Sequence, residues 1–449
     1  MSLIFATDPQ IGSLSTTSPA ALRAKDTADQ VKNATLVGGS TTDALTNIKN
    51  VSNKVGPIAL ETALWWKRTG DNTYLQPLIT FILDTPKPPD TNQALNEWRG
   101  LGGVFAAVQL LRRAGKWNDL ATLPNHGGIT WTDFLLTYGG KTYAERQIDT
   151  STAQRWRWLA PAAGTSTSQG PTQKSPSNWG AVARACKLAL DALLLDMGVA
   201  GAQAEVDADV AVYKQFFGDN PSALPNFYTS GSYRSSWDNW YSGTAVNGAS
   251  TYIPAGIGKY DAANPGLDGV IINDIDRGST DYSATTAFYG ATAGGLTYSQ
   301  EAADYVWFEA AYLVNAGIDV RLIGEHGNAL VRMNDRLARH RIPGEQSVFD
   351  ANEAANAVYR GGRFIASQLS GVDYERASAL TPSSGPVGTS RALPHGDWLA
   401  PADGSSTWAT PAVTPSVAVD DRWDGTQLVR QRVDVWDGAT LVQQMATPG

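Results

Sequence analysis

The stretch LDGVIINDIDRG, at 267–278, runs from an apolar, strand-like centre into Arg277, which stands between Asp276 and a glycine. An arginine there either staples its own loop by pairing with Asp274 or Asp276, or forms a wall of an active site. Four acids, Asp238, Asp276, Glu309 and Asp397, are eligible as a carboxylate pair for glycoside hydrolysis, a reaction whose course depends on a separation that sequence does not fix. The surrounding region, about 220–300, is crowded with Trp, Tyr, Asn and Gly and includes Trp237, Trp240 and Tyr298. Carbohydrate sites have this composition, because aromatic faces stack on sugar rings while Asn and Asp serve the hydroxyls. Loops this long and aromatic are functional or stabilising excursions from a scaffold. His126 in PNHGG and His395 in LPHGDW read as loop histidines. There is no Walker loop, no Gly-x-Ser-x-Gly elbow and no His-Glu-x-x-His. One cysteine excludes an intrachain disulfide, and four histidines without paired cysteines give no metal-finger spacing. Neither a metal nor a cofactor is expected.

The elements that must hold these groups read as helices. IALETALWWKRTGD followed by YLQPLITFIL predicts a helical hairpin broken at Gly70, which suits a C-terminal cap. In NEWRGLGGVFAAVQLLRRAGKW, Leu101, Val104, Phe105, Val108 and Leu111 recur at spacings of three and four, giving one buried stripe, with Arg112, Arg113 and Lys116 suited to the last turn. Arg99 reads as a cation on that helix's surface. SPSNWGAVARACKLALDALLLD places Trp179, Val182, Cys186, Ala189, Leu190 and Leu193 on one face, with Asn178 a candidate N-cap. Cys186 and Trp179 then read as core, with a sugar platform the other reading of Trp179. QEAADYVWFEAAYLVNAG sets an apolar face of Val306, Ala310 and Leu313 beside a polar one of Tyr305, Glu309 and Tyr312, and Gly317 ends it. Further helices are predicted at 206–217, 327–339 and 352–368.

Composition bounds the function. The chain has 449 residues, 42% of them hydrophobic, with 15 tryptophans, enough for a sizeable core. A formal net charge of -8 with no basic stripe disfavours nucleic acid. No window is apolar enough to span a bilayer, and the start MSLIFATDPQ lacks a basic n-region, so neither membrane insertion nor Sec export is expected. After a Pro/Ser/Thr/Ala linker, RWDGTQLVRQRVD and VWDGATLVQQ form a short repeat, each copy a turn plus an alternating strand. Two copies bury little and call for a neighbour or an oligomer.

That Trp-Asp-Gly repeat resembles the C-terminal tails of minor tail proteins from phages of actinobacteria. The resemblance implies a virion component made in the host cytoplasm and assembled with other tail-tip proteins, with a homotrimer the expected state. The region from Ile58 to Pro401 resembles the alginate-lyase-like family of α/α-toroid polysaccharide lyases. ALWWKRTGDNTYL, TNQALNEWRGLGGVFAAVQLL, SNWGAVARACKLALDALLLD, DGVIINDIDRG, DYVWFEAAYLVNAG and HGDWLAP match in family order. The resemblance implies that Asn178 and Arg277 neutralise a uronate carboxylate during β-elimination, with Tyr305 as base and acid and Glu309 beside it. Such chemistry needs preorganised donors where charge grows, and a tyrosine whose pKa, about 10, is lowered by nearby positive charge. Arg99 and Asn92 match substrate-side positions loosely. The family's histidine after the motif asparagine is replaced by Trp179, and an insertion after Arg277 offers Tyr282, Tyr289, Tyr298 or Tyr305, of which Tyr305 matches through YVWFEA.

The expectation is a mainly α protein. Residues 1–50 form a lead-in or attachment segment, 51–402 an incomplete α/α toroid of helical hairpins around a groove, 403–420 a linker and 421–449 a small β appendage. The toroid would bind a host envelope polysaccharide and cleave it by β-elimination, with Arg99, Trp179, Trp237, Trp240, Tyr298 and Glu309 on the substrate side. Glycan binding without catalysis, a structural tail-tip module and a glycoside hydrolase are the alternatives.

Overall fold

The structure is a computed structural model that describes residues 3–33, 55–83, 94–117, 177–219, 227–229, 251–253, 256–257, 269, 271, 293–324, 329–339, 396–399, 418–423, 428–436 and 441–444. The chain divides into two compact units, Met1–Ala409 and Thr410–Gly449. The first is mainly α. Its helices are α1 Asp8–Ser13, α2 Pro19–Lys32, α3 Val55–Thr69, α4 Leu75–Leu83, α5 Ala94–Arg113, α6 Asn178–Asp196, α7 Ala202–Phe216, α8 Ala293–Asn315, α9 Ala329–Arg339 and α10 Gly396–Leu399. Strands β1 Phe227–Thr229 and β2 Thr251–Ile253 pair antiparallel, and Ile257 bridges Ile271 in the same sense. Only that bridge describes the expected strand at 267–278.

Why these segments are helices follows from burial and caps. The residues of the expected α5 stripe are buried, from Leu101 at 4% exposure to Leu111 at 0%, but so are all the others from 101 to 111, because α5 lies between α3 and α6. Gly70 and Gly317 end α3 and α8 in the left-handed region, at φ 68° and 81°, where a side chain would be strained. The Gly70 N–H returns to the Trp66 carbonyl and that of Ile318 to Leu313. α8 departs from its amphipathic reading. Tyr305, Glu309 and Tyr312 are as buried as Val306, Ala310 and Leu313, because α8 is covered by α6, by α9 and by the N-terminal segment.

Four long helices form a row, α3 beside α5, α5 beside α6, and α6 beside α8. Contacts along each pair rise together in sequence, so all four run parallel. Gly103 lies against Gly56 at one end of α3 and α5, while Lys67, Leu110 and Arg113 share a pocket at the other. Gly102 meets Cys186, and Gln109 reaches Ala192 and Asp196. Asn178 meets Glu301, and Arg184 meets Glu309. α7 instead folds back along α6, with Arg184 against Phe216 and Lys187 against Asp209.

Residues 3–33 are not a loose lead-in. Leu3 and Phe5 are 1% and 0% exposed, and Phe5 packs on Phe308 and Tyr312 with ring centroids 5.1 and 5.8 Å apart. The short α10 brings Trp398 to the same core, where its indole donates to the Ser15 carbonyl at 2.9 Å.

In the second unit, β3 Ala418–Trp423, β4 Leu428–Trp436 and β5 Leu441–Gln444 pair antiparallel in that order. The tryptophans of the two Trp-Asp-Gly copies stand in the same register, Trp423 opposite Leu428 and Trp436 opposite Leu441.

Candidate functional site

Asn178 opens α6 with Ser177 as N-cap, so the asparagine is the first helical residue rather than the cap. It is fully buried, and its side-chain amide donates to Glu301 Oε2 on α8 at 2.8 Å. On α8, Glu301, Tyr305 and Glu309 follow one another at intervals of four and share a face. Tyr305, 2% exposed, is therefore one turn from each glutamate. Glu309 lies 3.5 Å from Arg184 Nε, both buried, and the Arg184 guanidinium stands 4.2 Å over the Phe216 ring. The α6–α8 seam thus carries an amide–carboxylate bond at one level and an arginine–glutamate contact at another, with Tyr305 between them.

Burial dominates the electrostatics. It pushes Glu309 up to about 8, with the Arg184 charge opposing the rise. It also lowers the Arg184 guanidinium and lifts the Tyr213 phenol well above its usual range, the latter aided by the Glu309 charge. One turn further along α6, Lys187 contacts Asp191 at 2.7 Å and, on α7, Asp209 at 2.7 Å and Glu205 at 3.0 Å. Burial works against that ammonium, yet the three carboxylates outweigh it and hold the charge in place. Cys186 is core, as expected, and burial, with the Asp191 charge, pushes its thiol up.

The structure brings Asn178, Tyr305 and Glu309 to one helix seam. Glu309, expected on the substrate side, has its carboxyl group enclosed with Arg184. Arg99, Trp179 and Tyr298 belong to α5, α6 and α8, with side chains outside the described residues. Arg277, Trp237 and Trp240 lie outside the described residues altogether, as do His126 and His395, Asn92 and the helix predicted at 352–368. Sequence reading missed Glu301 and Arg184. The spacing of Glu301, Tyr305 and Glu309 was the available signal for the first; nothing local marks the second.

Among the described residues no helix is long and apolar enough to cross a membrane, and no group of three or more His, Cys, Asp or Glu could hold a metal ion. Comparison with known protein families, with curated proteins and with solved structures finds no match to this chain.

Proposed function

We propose that this chain is a phage tail protein whose helical body is an α/α toroid that recognises a polysaccharide of the host cell envelope. The observation that carries the reading is the row of parallel helices α3, α5, α6 and α8. Helical hairpins set around a groove place their first helices in such a row, and α7 folding back along α6 is one such hairpin. The N-terminal ends of the row then share one side, where helix dipoles favour a polymer that carries carboxylates. The Trp-Asp-Gly repeat, whose two tryptophans share one strand register, supports the reading of a tail component built into the virion with other tail-tip proteins; a homotrimer is the state proposed with it.

Recognition is favoured over cleavage. Asn178 spends its amide on Glu301, Tyr305 is buried, and Trp179 stands where the resembled lyases have histidine. β-Elimination is the second reading, favoured by Asn178 and Tyr305 meeting at one seam. In that reading Asn178 and Arg277 would hold the uronate carboxylate while Tyr305 moved the proton, and the seam would have to open to the polymer.

Incubating the protein with host envelope polysaccharide separates the readings. Retention of the polymer on immobilised protein, without the ultraviolet absorbance of unsaturated uronate, is the expected result. That absorbance, lost in Arg277→Ala, would establish the lyase, and new reducing ends without it a hydrolase. Neither retention nor cleavage would leave a structural tail module.

A further inference from the structure

α7 folds back along α6, so its last residue, Phe216, stands level with Arg184, whose guanidinium lies 4.2 Å over the ring. Arg184 follows Asn178 by a rise of about 9 Å, which puts the end of α7 on the side of the row where α6 begins. A separate segment docks there. The Phe216 carbonyl accepts from the amides of Gly256 and Ile257 at 2.9 and 3.2 Å. Ile257 bridges Ile271, and both are buried. Gly269 backs the bridge onto α9, where, at φ 75°, a Cβ on it would lie 2.6 Å from the Arg332 carbonyl oxygen. Gly256 is enclosed as closely. A Cβ there would come within 2.0 Å of Phe216 Cδ2, and that ring is itself fully buried. Carbon atoms pack at about 3.5–4.0 Å, so the methyl of an alanine would shift the ring or the segment by about 1 Å or more. Three residues before Gly256 ends β2, whose pairing with β1, Phe227 opposite Ile253 and Thr229 opposite Thr251, closes the stretch 230–250. One strand of this stem follows α7 along the chain, and the other leads directly to the Phe216 carbonyl. The stretch reads SGSYRSSWDNWYSGTAVNGAS and holds Trp237 and Trp240, which lie outside the described residues. Its composition suits sugar rings and hydroxyls.

We infer that Gly256 is a positioning residue for polysaccharide recognition, fixing the stem of the stretch that holds Trp237 and Trp240 to the end of α7. The role rests on the proposed recognition of a polysaccharide beside the N-terminal ends of the row. A binding constellation tolerates about 0.5 Å of error, less than the shift an added methyl imposes. Retention of host envelope polysaccharide on the immobilised full chain is compared for the parent, Gly256→Ala, the pair Trp237→Ala and Trp240→Ala, and all three changes together. Gly256→Ala is expected to weaken retention at least about tenfold, and the tryptophan pair at least as much. The triple variant should lose no more than the tryptophan pair, since a residue that acts through those side chains is non-additive with their loss. A chain in which 230–250 is replaced by Asn-Gly, a two-residue turn that joins β1 to β2, tests the role without touching Phe216 and decides it if Gly256→Ala fails to fold. Its retention should fall as that of the tryptophan pair does. The role is overturned if Gly256→Ala retains polymer as the parent does, if its loss adds to that of the tryptophans, or if the shortened chain keeps its retention. A parent that retains no polymer overturns recognition itself, and this role with it.

Discussion

Glu309 is enclosed with a cation that only partly offsets its loss of water. An unfolded glutamate titrates at about 4.3, whereas burial raises the folded group to about 8. The folded state therefore holds a proton that the unfolded chain has released. Its contribution is fully present below about 4.3 and is lost as pH rises through about 8, with a slope reaching about 1.4 kcal/mol per pH unit between them. Glu309→Gln removes that titration and keeps the shape. Urea unfolding across this window should show the parent losing stability relative to the variant as pH rises; a difference that stays flat with pH would mean that Glu309 is already charged in the fold. Asn178 teaches a related lesson. An asparagine at the head of a helix reads as a cap, but the chain supplies Ser177 for that position and turns Asn178 inward to Glu301, 123 residues away. Nothing in the local sequence marks so distant a partner.

The α5 stripe is buried where the spacing put it, but so is every other residue from 101 to 111, because α5 packs between α3 and α6 and its period records only part of its burial. α8 is covered on several sides, so its polar spacing marked internal pairing instead of a solvent face. Closeness between helices was also hidden. A Cβ at Gly103 would come within 2.4 Å of the Gly56 carbonyl carbon and oxygen. Alanine in a helix gains roughly 1 kcal/mol over glycine, but overlap with a neighbouring backbone moves the two helices and costs about 1–3 kcal/mol or more. Gly103→Ala is therefore expected to lower the unfolding midpoint, and a rise would show that α3 and α5 are less tightly packed than this contact requires. The α6–α7 hairpin depends on a different device. Lys187→Met leaves Asp191, Glu205 and Asp209 facing one another, Asp209 already lifted by burial. Breaking a buried pair from one side costs about 3–5 kcal/mol. The loss should appear as faster amide exchange along α7, and undiminished protection there would show that apolar packing alone holds the hairpin.

Across the whole helical body, the segment before α1 joins elements far apart in sequence. Gln109 on α5 donates to the Leu3 carbonyl at 2.8 Å, and Asn315 on α8 donates to those of Ile4 and Phe5 at 3.0 and 2.8 Å. Asp8 meets Lys67 at the end of α3 at 2.8 Å. Each partner is at or near the C-terminal end of its helix, so residues 3–8 cross that side of the row and tie three of its members. A composition rich in Ser and Thr concealed this role, since the few apolar residues there, Leu3, Phe5, Ile11 and Leu14, show no period yet are all buried. The apolar anchor should outweigh the charged one. Asp8 is 81% exposed at its side chain, and surface ion pairs contribute about 0–1 kcal/mol. Phe5 is fully enclosed against two rings, and Phe→Ala in a core costs about 3–5 kcal/mol. In denaturant unfolding, Phe5→Ala should fall well below the parent, with exchange rising at the C-terminal ends of α5 and α8, while Asp8→Ala stays close to it. Equal, small effects from both would show that residues 3–8 rest on a body able to hold its helix row without them.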